Sequence, residues 1–67
     1  MTLQQLLETF DTTVTDITVT VLNGGDDNKQ IVKLNASGYS SLEDNIEAMT
    51  VTSWTITSRN SITVIVQ

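Results

Sequence analysis

The sequence predicts an α+β domain of order αββαββ: a four-stranded, mainly antiparallel sheet with two short helices on one face. Three observations carry this. Apolar residues recur at helical spacing in two short stretches, residues 3–10 and 42–49. After each of them the apolar period drops to two, as a half-buried strand requires. Clusters of Gly, Asn, Asp and Ser punctuate the strand stretches, as turns do. The 67 residues make one domain, 1–67, with two layers around one core.

Thr2-Leu3-Gln4-Gln5 opens the chain as a capping box, Thr2 bonding the amide three residues on and Gln5 reaching back. Leu3, Leu6, Leu7 and Phe10 then predict a first helix over about 3–10. The run Thr12-Thr13-Val14-Thr15-Asp16 is β-branched and polar and continues a helix poorly. From Ile17 the pattern is a strand, about 17–22, with Ile17, Val19 and Val21 on one face and Thr18, Thr20 and Leu22 on the other. Asn23-Gly24-Gly25-Asp26-Asp27-Asn28 is the strongest turn signal in the chain, so a second strand at about 30–35 completes a long-looped hairpin.

Ala36-Ser37-Gly38-Tyr39 reads as a connector. Ser40 and Ser41 before Leu42-Glu43-Asp44 make a second capping signature with acids in the first turn. With Leu42, Ile46 and Met49 on one face, it predicts a second helix over about 41–48. A third strand, 50–57, and a fourth, 62–66, flank the turn Ser58-Arg59-Asn60-Ser61. The two halves match in element type and not in residue identity. Ile17, Val19, Val21, Trp54, Ile56, Ile62, Val64 and Val66 are expected to meet the helices. Thr18, Thr20, Thr55, Thr57 and Thr63 would line the open face, with Leu22, Val32 and Ile65 also pointing away from the core.

The composition excludes more chemistry than it suggests. The chain has no His and no Cys, which removes disulfides, the usual zinc ligands and a Ser–His type of nucleophile. Asp26-Asp27-Asn28 does not begin an EF-hand, since the twelfth position falls on Ser37. Gly24-Gly25 lacks the Gly-Lys-Ser/Thr ending of a phosphate loop, and Asn35-Ala36-Ser37 matches the glycosylation triplet only formally. No catalytic residue, metal site or cofactor is expected. Eight carboxylates against Lys29, Lys33 and Arg59 argue against a direct nucleic-acid partner and permit a basic protein surface as one. No stretch approaches a membrane span and no signal peptide is expected, so the expected location is cytoplasmic.

Three stretches carry a resemblance: Met1-Thr2-Leu3-Gln4-Gln5-Leu6-Leu7, Asn23-Gly24-Gly25-Asp26-Asp27 and Ile62-Thr63-Val64-Ile65-Val66. In these the chain resembles small hypothetical proteins encoded by phages and prophages of low-GC Gram-positive bacteria. The resemblance implies a small accessory protein without known activity. One form of it would be an inhibitor or regulator that occupies a host protein's nucleic-acid-binding site.

The expected function is therefore binding of another protein. Asp26, Asp27, Glu43, Asp44 and Glu47 would supply an acidic interaction surface. A homodimer is also expected, because the core is small for a domain without disulfides or metal. Residues 51–66 carry a single charge, Arg59, and Thr55, Thr57, Thr63 and Ile65 would form the dimer edge or face. The alternatives are a small-ligand pocket anchored by Tyr39, Trp54 and Arg59, or a structural module.

Overall fold

The N-terminal capping box forms as its pattern predicts. A computed structural model describes every residue except Thr12 and Val14, and gives Ser40 and Ser41 by their backbone alone. In it the Gln5 amide donates to Thr2 Oγ1 at 3.2 Å, and the Thr2 amide donates to Gln5 Oε1 at 2.9 Å. Helix α1, Leu3–Leu7, follows and buries Leu3, Leu6 and Leu7. It stops short of the expected residue 10. The amides of Thr9 and Phe10 bond three residues back, to Leu6 and Leu7, and Thr9 Oγ1 donates to the Leu6 carbonyl at 2.6 Å. A Thr hydroxyl turned back onto the preceding turn competes with helix propagation. Of the polar run that comes next, Thr12 and Val14 lie outside the described residues.

The four strands are β1, Thr18–Asn23; β2, Lys29–Asn35; β3, Val51–Ser58; and β4, Ser61–Val66. They form one sheet in the order β2-β1-β4-β3. The two hairpins are antiparallel, and β1 and β4 run parallel through the centre, from Thr18 opposite Ser61 to Asn23 opposite Val66. The first strand of one hairpin and the second strand of the other are thus interior. The likeness of the two halves therefore ends at element type.

The turn after β1 holds its shape through Asp and Asn rather than through its glycines. Asp27 and Asn28 occupy the left-handed region, with φ of 53° and 57°, which short polar side chains tolerate. Asn23 Oδ1 accepts from the Gly25 amide at 2.9 Å. Gly24 is required for a different reason: a Cβ there would stand 2.8 Å from Ile65 Cγ2.

Between β2 and β3 the chain makes a 3₁₀ helix, Ala36–Ser41, where only a connector was expected. Leu42 is extended, and helix α2 is reduced to Asp44–Glu47, with Glu43 at its N-cap and no side-chain capping bond. The predicted start at Ser41 is thereby corrected, because the 3₁₀ helix claims the two serines.

The core lies between α1 and the centre of the sheet. Val19, Val21, Ile62, Val64 and Val66 are buried against Leu3, Leu6, Leu7 and Ala36, with Ile46 and Met49 packed at the margin. Fully burying such a side chain is worth roughly 1.5–3 kcal/mol. Val32 also belongs to this face, contrary to expectation. It sits directly opposite Val21, and a register irregularity after Val21 changes the alternation along β2. Among the described residues no helix is long and apolar enough to cross a membrane.

Candidate functional site

The helix layer covers the central strands of the sheet and leaves the outer part of β3 open. Met1–Leu3 pairs with the start of β3: the Val51 amide donates to Met1 O at 2.8 Å and the Leu3 amide to Met49 O at 2.9 Å. Helix α1 therefore begins at the end where β1 and β4 finish. Its five residues span only ~7.5 Å, whereas the eight residues of β3 extend ~27 Å. Helix α2 is shorter still. Both helices leave Trp54 and Ile56 of the edge strand uncovered, while Val64 and Ile62 beside them are buried.

This limited cover corrects the expectation for Trp54 and Ile56. Both do lie on the helix side, opposite Val64 and Ile62. No helix stands over them, and they remain 52% and 71% exposed. With Phe10, Ile17, Ile62 and Arg59 they line an open apolar groove of about 220 Å³. Sequence periodicity assigned the face correctly and could not assign the cover. Phe10 and Ile17, expected in the helix-packed core, do pack against it half-buried and wall the groove as well. A signal for the early end of the first helix was present in Thr9, whose hydroxyl turns back to Leu6 O.

Asp16 fixes the wall of this groove. Its Oδ1 accepts from the amides of Ile17 and Ser37, at 3.0 and 3.1 Å, and its Oδ2 accepts from Ser37 Oγ at 2.8 Å. The Ser37 hydroxyl bond holds the Asp16 carboxyl below its ordinary value; desolvation opposes this, and the two amides assist. The Ala36 amide donates to Ile17 O at 2.8 Å, so Ile17 is tied down from both sides.

The outer edge next to the groove is β3, and it carries no charge. The opposite edge, β2, carries Lys29 and Lys33. Register irregularities fall at Thr52 and Thr57 of β3, leaving 53–56 regular. These two Thr hydroxyls donate to β4 carbonyls, Thr52 to Ile65 O at 3.2 Å and Thr57 to Ser61 O at 3.4 Å. Thr57 is thus a bulge residue rather than a member of a regular Thr row. Thr55 stands opposite Thr63 on the face that no helix covers. Thr63 and Ile65 belong to that face alone, because β4 is interior.

The acidic residues gather at the other end. Asp26 and Asp27 sit in the turn after Asn23, whose neighbour Gly24 donates to Val66 O at 2.8 Å. Glu43, Asp44 and Glu47 lie on α2 or its cap, just before Thr50, which exchanges two backbone bonds with Gln67. The fold brings these five residues to one end of the sheet. Among the described residues no three potential ligands converge to hold a metal ion. Tyr39 packs on the core from the 3₁₀ helix and does not line the groove that Trp54 and Arg59 share.

Compared with known proteins, the chain matches no family model, no curated protein and no solved structure.

Proposed function

We propose that this chain is a non-enzymatic protein-binding module that docks through the uncovered edge strand β3 of its sheet. The observation that carries this reading is the exposure of Trp54 and Ile56 on an uncharged edge strand. Exposed aromatic and aliphatic side chains beside an open strand edge offer the two components of strand addition, backbone bonds for affinity and a pocket for specificity. The groove is smaller than the roughly 300–1,000 Å³ of sites that enclose a small ligand, and Tyr39 is not in it, which weighs against the ligand-binding alternative. A cytoplasmic location is part of the same proposal.

Capture from a cell lysate with wild-type and Ile56→Asp baits tests this reading. The expected result is a set of proteins retained by the wild type and lost by the variant, with the variant's circular dichroism unchanged. Identical recovery on both baits would count against docking at the groove.

A second reading is favoured by the gathering of Asp26, Asp27, Glu43, Asp44 and Glu47 at one end. Such a surface suits the basic nucleic-acid site of a partner protein, as the phage-protein resemblance implies. Reversing Asp26 and Asp27 to Lys would then abolish capture of basic proteins, and capture by the wild type would fall steeply with salt. Salt-independent capture would argue against it.

A further inference from the structure

We infer that the partner at the β3 edge is a second copy of this chain, joined antiparallel about a two-fold axis through Thr55. This rests on the protein-binding reading and names the occupant of the same surface. The register on β4 determines which backbone groups are free. Thr50 exchanges both its bonds with Gln67, inward, while the Val51 amide bonds Met1 O, outward. Pairs along an antiparallel ladder alternate between bonded and non-bonded. Continuing that alternation through the observed pairs leaves Trp54 and Ile56 with their N–H and C=O turned outward. Centring the axis on Thr55 sets Trp54 of one copy opposite Ile56 of the other. Their outward groups then match, giving two reciprocal pairs of backbone bonds.

The side chains follow the same register. Residues directly opposite in a ladder share a face, so the two most exposed nonterminal large hydrophobics among the described residues meet as two Trp–Ile pairs. The two grooves join into one apolar floor across the seam. An axis at Trp54 would bring the Thr52 irregularity into the pairing, and an axis at Ile56 would leave Trp54 facing Ser58 beyond the regular stretch. Met1–Leu3 already occupies the edge at 49–51, which limits the new pairing to about residues 53–57.

Charge supports the same arrangement. The β3–β4 hairpin contains no carboxylate, so none opposes another at the seam. The antiparallel arrangement turns the Arg59 end of one copy toward the end of its partner where Glu43, Asp44 and Glu47 lie. A two-fold interface needs only one self-complementary strand, and the edge with Lys29 and Lys33 lacks this property.

Sedimentation equilibrium over a concentration series tests the inference, with Thr55→Lys and Thr55→Glu as the probes. Residue 55 meets its own copy on the axis, and its side chain lies on the uncovered face. The wild type is expected to follow a monomer–dimer equilibrium. Each variant alone should weaken dimerisation about tenfold or more, because like charges stand directly opposite. An equimolar mixture of the two should re-form the dimer as a heterodimer. A wild type that stays monomeric throughout overturns the inference. So does a wild-type dimer that neither variant weakens, or a mixture that does not re-associate. A monomeric wild type whose capture of other proteins still depends on Ile56 would remove the second copy as occupant and leave the protein-binding reading standing.

Discussion

One face of one sheet behaves in two ways. On the central strands β1 and β4, Val19, Val21, Val64 and Val66 are fully buried. On the edge strand β3, Trp54 beside Val64 and Ile56 beside Ile62 stand in the open although they obey the same alternation. The two regions differ in cover, since α1 and the neighbouring 3₁₀ segment lie over one and nothing lies over the other. Amphipathic patterning therefore marks which residues a sheet offers for burial, while the reach of the opposing layer selects those it buries.

Truncation in the two regions should break or confirm this comparison. Leu7→Ala removes a buried anchor of the cover and is expected to cost about 2–5 kcal/mol in denaturant unfolding. In a domain this small, that is a large share of the total stability. Thr2→Ala leaves the buried leucines intact and removes half of the capping box, at about 0.5–2 kcal/mol by the same measurement. Ile56→Ala on the uncovered edge strand should change the stability of the monomer by no more than about 0.5 kcal/mol. A loss at Ile56 comparable to that at Leu7 would mean that the two regions are equally buried in solution and that the comparison fails.

The smallest expected effect sharpens the boundary between the two regions. The folded-state pKa of Asp16 lies below its ordinary value of 3.8, chiefly because of the Ser37 hydroxyl. The associated stabilisation is fully present above that value and is lost as pH falls through the lowered folded-state pKa. Asp16→Asn should flatten this part of the acid-side stability profile, measured by unfolding at a series of pH values. Ser37→Ala should return the carboxyl toward its ordinary titration, seen by NMR.

The legible parts of the fold were those set by neighbours in the chain. The capping box of Thr2 and Gln5, the two hairpin turns and the period-two strands each depend on a few consecutive residues, and each formed within a residue or two of its expected place. Helix α2 was less legible, because Ser40 and Ser41 fit a cap and a 3₁₀ turn equally well. The groove was illegible for a different reason. Phe10 and Trp54 are separated by most of the chain, and no local pattern states that α1 ends before it can cover both.

By itself the sequence determined the element order, the face to which most apolar side chains belong and the absence of His- or Cys-based chemistry. These follow from residue type and short-range spacing. Only the tertiary structure decided that β1 and β4 are interior and parallel, that β3 is an edge and that Trp54 and Ile56 remain uncovered. Those outcomes depend on which strands find each other across long loops, and on a helix layer that stops short of the edge strand. Pairing and cover are properties of distant segments brought together, and an alternating pattern fits a buried strand and a half-covered one equally well.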